Sequence, residues 1–111
     1  MFSELMSHDQ LEVTISENPA VLVYFSNESC SVCKSLKPKV EELVKQNFDK
    51  MKTLSINADS FPAITGQYRI FTLPAILVFF NGKETIRKVR NFSIREFGDE
   101  LQRPYSILFT S

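Results

Sequence analysis

Tryptophan is absent from this 111-residue chain, histidine occurs once and cysteine only twice. Neither sign of charge is in excess, with 13 basic against 13 acidic residues. That balance removes the electrostatic basis for binding nucleic acid or an anionic membrane surface. Long apolar runs are also missing: Ala75 to Phe80, as long as any in the chain, is far too short to span a bilayer. Polar and apolar residues alternate from Met1 to Glu17, without the basic flank and apolar core of a signal peptide. A cytoplasmic location is the expectation. In a reducing compartment a single pair of cysteines makes a poor structural staple. The chain has no repeats, low-complexity segments or linker.

What is present is enough apolar residue for one core: 43% hydrophobic content with ten Phe. Capping chemistry at Ser7 and a stop at Asn18-Pro19 predict a helix over 7–17, weakened by β-branched Val13, Thr14 and Ile15. Ala20 to Phe25 is apolar on both faces, as a central parallel strand would be. Val32, Leu36, Val40, Leu43, Val44 and Phe48 recur at helical spacing and predict a helix over 31–48, kinked at Pro38. Alternation over Met51 to Asn57 predicts a strand, and a short helix follows over 60–69 with Ser60 as N-cap and Pro62 in its first turn. Ala75 to Phe80, Asn81-Gly82 and Glu84 to Val89 read as a hairpin, because Asn-Gly accepts the two positive φ angles of a type I′ turn. Ser93 caps a final helix over 94–102, and Pro104 is expected to end it. The order predicts an α/β fold with a mixed central sheet flanked by helices.

Cys30 and Cys33 stand where the apolar strand gives way to the helix. A cysteine beginning a helix faces unpaired amide N–H groups and the positive end of the macrodipole, which lower a thiol pKa from ~8.5 toward neutrality. Cys30 holds that place. Cys33, one turn further in, is more shielded and suited to attack a mixed disulfide formed at Cys30. Residues three apart on a helix have Cβ atoms ~5–6 Å apart, so a bond between them needs only a small tightening of the turn. Two other readings remain: half of a zinc site, for which the chain adds only His8 and carboxylates, or two buried thiols without a role.

The segment Val21-Leu22-Val23-Tyr24-Phe25-Ser26-Asn27-Glu28-Ser29-Cys30-Ser31-Val32-Cys33-Lys34 resembles the active-site strand and helix of the thioredoxin family, with Lys34 and Pro38 matching that family's lysine and kinking proline. Thr72-Leu73-Pro74-Ala75-Ile76-Leu77-Val78-Phe79-Phe80-Asn81-Gly82-Lys83 is similar to the segment carrying its cis-proline and hairpin. The resemblance as a whole covers roughly Asp9 to Arg103. The resemblance implies a single thioredoxin-like domain over 1–111, with 104–111 as a C-terminal tail. It also implies a cis peptide bond at Pro74, which packs opposite the cysteines, and a Leu73 backbone free to hydrogen-bond a bound peptide. Without it, Pro74 is an ordinary trans proline opening a strand.

Four features depart from that family's pattern. Ser29-Cys30-Ser31-Val32-Cys33 replaces Trp-Cys-Gly-Pro-Cys, Tyr24 stands where the family keeps a buried aspartate, Ser55 where it keeps that aspartate's lysine, and Arg90 where it keeps a glycine. Losing the acid and the lysine together avoids a buried unpaired charge, but it removes the general base expected for Cys33. Water or Glu28 is left for that task, although Glu28 reads more simply as a solvated carboxylate. Arg90 either narrows the groove or attracts acidic partners, or is a solvated edge charge in the cluster Arg87-Lys88-Arg90. His8 is remote from the motif.

The resulting expectation is a thiol–disulfide oxidoreductase with Cys30 as nucleophile and Cys33 as resolving thiol. Leu73 and Pro74 form its substrate platform. It needs no metal or organic cofactor, acts on disulfide-containing proteins or small thiols, and takes electrons from a separate reductase or low-molecular-weight thiol. The alternative is a binding or adaptor module of the same fold whose cysteines are vestigial or regulatory. The tail is expected to fold back on its own domain or to make dimer contacts, because Tyr105, Ile107, Leu108 and Phe109 are costly in water.

Overall fold

The computed structural model describes residues 2–90 and 92–109. In chain order these are β1 (Ser3–Glu4), α1 (His8–Glu17), β2 (Ala20–Ser26), α2 (Ser31–Asn47) and β3 (Lys52–Asn57). After a 3-10 turn (Ala58–Ser60) come α3 (Pro62–Gln67), β4 (Ala75–Phe80), β5 (Lys83–Val89) and α4 (Ile94–Phe109). The strands form one sheet in the order β1-β3-β2-β4-β5. β3 runs parallel to β1 and β2, whereas β4 is antiparallel to both β2 and β5. The mixed sheet matches the expectation from sequence. The radius of gyration, 13.1 Å, is that of a single compact domain of this length.

Burial explains the central strands. Every residue from Ala20 to Phe25 and from Ala75 to Phe80 is buried, so both strands are covered on both faces. The pleat sorts their side chains into two cores. Val21, Val23 and Phe25 pack with Leu11, Ile15 and Ile64 beneath α1 and α3. Ala20, Leu22 and Tyr24 pack with Val40, Val44, Phe97 and Leu101 beneath α2 and α4. Burying each large apolar side chain is worth about 1.5–3 kcal/mol, so this layer fixes where β2 ends and α2 begins.

Local chemistry holds the ends. Ser7 accepts from Gln10 N–H at 3.2 Å and Ser93 from Glu96 N–H at 3.2 Å. Asn81 and Gly82 take φ of 52° and 81°, the left-handed pair of a type I′ turn, and Asn81 N–H donates to Pro19 O at 2.8 Å.

Two expectations need correction. Ser60 lies in the 3-10 turn and caps nothing; α3 starts at Pro62 without a side-chain cap. β1 comes in addition: no strand is expected ahead of α1, and this two-residue piece owes its pairing to the open edge of β3. Pro104 does not end α4, which runs on to Phe109. An interior proline costs about 3 kcal/mol. Burial beyond it offsets that cost: Tyr105 packs edge-on against Phe48 with centroids 5.0 Å apart, its hydroxyl accepts from Lys50 N–H at 3.0 Å, and Lys50 Nζ lies 5.5 Å from the Phe109 ring centre. Tyr105, Leu108 and Phe109 therefore pack on their own domain as helix, whereas Ile107 is 69% exposed.

Candidate active site

β2 delivers the chain to Cys30 at the C-terminal end of the sheet, and α2 begins one residue later. Cys30 is the N-cap of α2, with extended backbone (φ −87°, ψ 98°). Its Sγ accepts from Cys33 N–H at 3.1 Å. The two cysteines form a disulfide with Cα atoms 5.3 Å apart. Cys30 is half-buried, whereas Cys33 is 1% exposed. The amide that greets Cys30 Sγ is an orphan donor of the helix start. With the bond reduced, it would meet a thiolate at the positive end of a 17-residue helix.

Behind Cys33 stands Tyr24, in the place of the acid that the resemblance leads one to expect. Its hydroxyl donates to Cys33 O at 2.6 Å, and burial pushes its pKa up to about 12, so it stays a neutral donor. Ser55 of β3 is not alone either, since Lys37 Nζ donates to its Oγ at 3.2 Å. Sequence reasoning passed over Lys37. Its signal is spacing: it lies one turn beyond Cys33 on the same face of α2. Cys33, Lys37, Ser55 and Glu28 together line a polar cavity of about 200 Å³. His8 sits apart on α1, 3.9 Å from Glu12.

The segment before β4 comes up against Val32, which stands between the two cysteines in sequence. The Leu73–Pro74 peptide bond is cis, as the resemblance implied. Pro74 is buried and Leu73 half-buried; with Val32 and Arg90 they line a cavity of about 250 Å³. Among the described residues no hydrogen bond engages the Leu73 backbone. Arg90 N–H donates to Pro74 O at 2.9 Å, and Arg90 adopts a φ of 62°.

The thioredoxin family profile matches residues 3–102. The chain belongs to the thioredoxin family. A thioredoxin of Rickettsia bellii is 41% identical over 78 residues, covering 70% of this chain and 73% of that protein. The thioredoxin-like protein YdfQ of Bacillus subtilis is 29% identical over 97 residues, covering 87% of this chain and 86% of its own. Among solved structures, Trypanosoma brucei brucei thioredoxin superposes with a TM-score of 0.82 at 20% identity, covering 93% of this chain and 89% of that one. A mutant thioredoxin of Halobacterium salinarum gives 0.82 at 22%, covering 92% and 88%. These two likenesses carry the fold. The family and the Cys30–Cys33 disulfide make this thioredoxin-like chain a thiol–disulfide oxidoreductase, and proteins of the family act on disulfide substrates with a reductase. Among the described residues no helix is long and apolar enough to cross a membrane.

Proposed function

We propose that Cys30 is the attacking sulfur, Cys33 the resolving one, and Leu73 with Pro74 the platform on which a substrate strand lies. The observation that carries this reading is the Cys33 N–H aimed at Cys30 Sγ at 3.1 Å. It favours a thiolate at the half-buried sulfur over the buried one. The thiolate of Cys30 attacks one sulfur of a substrate disulfide, an S–S bond forms to Cys30, and the other substrate sulfur leaves as a thiolate. Cys33, as thiolate, then attacks Cys30 Sγ; the Cys30–Cys33 bond forms and the second substrate thiolate leaves. Two electrons pass to the substrate, and the two protons lost by the protein thiols end on the product thiols. A separate reductase or low-molecular-weight thiol returns two electrons to the pair. The cytoplasm, whose thiol pool keeps such a pair reduced, is the proposed setting.

The polar cavity supports a route for the Cys33 proton. A buried carboxylate would take that proton directly, whereas here a space of about 200 Å³ lined by Cys33 and Glu28 is roomy and polar enough for water. The unpartnered Leu73 backbone supports the platform, because an extended peptide there gains main-chain hydrogen bonds that the fold leaves unused.

Trapping tests the assignment. Cys33→Ser should accumulate mixed disulfides with substrate proteins, and Cys30→Ser should trap none and turn over none. Trapping by Cys30→Ser in place of Cys33→Ser would reverse the two roles.

A further inference from the structure

The three cations that close the β5 edge are not equivalent. Arg87 donates from Nε and Nη2 to Glu84 at 2.9 and 2.8 Å, and from Nη1 to Arg69 O at 3.3 Å. Lys88 pairs with Glu100 of α4. Arg90 pairs with no carboxylate among the described residues, and it is the one of the three that lines the cavity with Val32, Leu73 and Pro74.

Its placement is also held by the backbone. A φ of 62° is strained for a residue with a Cβ, and the Arg90 N–H bond to Pro74 O ties that conformation to the platform. The cavity therefore combines two chemistries. Val32, 47% exposed, and half-buried Leu73 give it apolar wall, and Arg90 gives it an exposed, unneutralised guanidinium. An apolar flank alone would leave that charge without a counterpart, and a basic flank would be repelled. A carboxylate meets it with charge-assisted hydrogen bonds.

We propose that Arg90 is a specificity-determining residue that selects polypeptide substrates carrying an acidic side chain beside the disulfide cysteine. The inference rests on the platform reading above and names the substrate class of that same groove. Because the guanidinium is exposed, the attraction is of the surface kind, worth about 0.2–1 kcal/mol, which corresponds to a preference of up to about fivefold. It acts largely on encounter and fades with salt.

The test uses the pre-reduced protein and two disulfide peptides identical except for Glu or Gln next to the cysteine, with glutathione disulfide as a third substrate. The readout is the kcat/KM ratio of the Glu to the Gln peptide, measured within each variant. The wild type should favour the Glu peptide about three- to fivefold at low salt, with the ratio falling toward one as salt rises. Arg90→Lys should keep the preference; Arg90→Gln and Arg90→Gly should lose it. Glycine accepts the left-handed backbone, so the Gly variant keeps the test open if the Gln variant does not fold. Equal rates in the wild type, or a ratio unchanged in both neutral variants, overturn the Arg90 assignment while leaving the exchange chemistry standing. A dependence on Arg90 with glutathione disulfide but not with the Glu peptide overturns the polypeptide class. If neither peptide is reduced while glutathione disulfide is, the platform reading fails and this inference falls with it.

Discussion

The Tyr24 hydroxyl and the Cys33 carbonyl meet at 2.6 Å inside a fully buried stretch of β2, tying the central strand to the first turn of α2. A phenol is well suited to that place. It spans the gap, fills the core with a ring and donates without carrying charge. Phe2 extends the contact, with ring centroids 5.5 Å from Tyr24.

Tyr24→Phe should keep the fold and lose about 1 kcal/mol near neutral pH, the usual worth of a hydrogen bond, read as a lower denaturation midpoint with unchanged slope. The alkaline limb should separate the two proteins further. Burial raises the Tyr24 pKa from 10.0 to about 12, so the folded state holds this proton more tightly than the unfolded chain. Stability from the neutral phenol is complete below pH 10 and is lost as pH rises through about 12, a fall of roughly 2–3 kcal/mol. Tyr24→Phe lacks that fall, and the two stability curves should cross in this interval. Parallel curves would mean that Tyr24 ionises as freely folded as unfolded.

Lys37 and Ser55 give a second measurable consequence. Their 3.2 Å contact holds an ammonium at a cavity that Cys33 also lines. In a Cys30→Ser background, Lys37→Met should move the alkylation profile of Cys33 to higher pH, since a nearby cation favours the thiolate. Lys37→Arg should leave it near the parent. Identical profiles for Met and Arg would exclude an electrostatic role for Lys37.

The far end of α4 makes a third expectation. Pro104 removes the donor that would satisfy the Glu100 carbonyl, so Pro104→Ala should stabilise the protein by about 1–3 kcal/mol. Tyr105→Ala should do the opposite by about 2 kcal/mol, because it strips the Phe48 edge contact and the Lys50 hydrogen bond together. A Tyr105→Ala protein with an unchanged melting point would mean that the last turns contribute nothing to the domain.

The parts of this fold that could be read in advance are those in which local pattern and burial agree. Ala20 to Phe25 is apolar throughout and is buried throughout; Asn81-Gly82 demands a turn and makes one. The cysteine pair was legible because a strand-to-helix junction gives CxxC a donor-rich environment. Pro74 was legible only by likeness, since X–Pro isomers are not set by composition. What escaped depends on partners distant in sequence. β1 exists because β3 has a free edge, α4 outruns Pro104 because Phe48 waits for Tyr105, and Lys37 matters because Ser55 leaves room for it. Arg90 was visible as a departure, but that it lacks a carboxylate partner among the described residues emerges only when Glu84 and Glu100 are seen occupied elsewhere.

The Asn81-Gly82 turn has a practical meaning of its own. It meets Pro19, which precedes β2, whereas Cys30 follows the other end of that strand. Seven residues of strand at about 3.3 Å each put roughly 20 Å of sheet between the two. A dye, an affinity handle or an inserted reporter domain attached at this turn would therefore ride on the molecule without shading the sulfur-exchange face. That gives the molecule a natural point of attachment for watching substrates arrive.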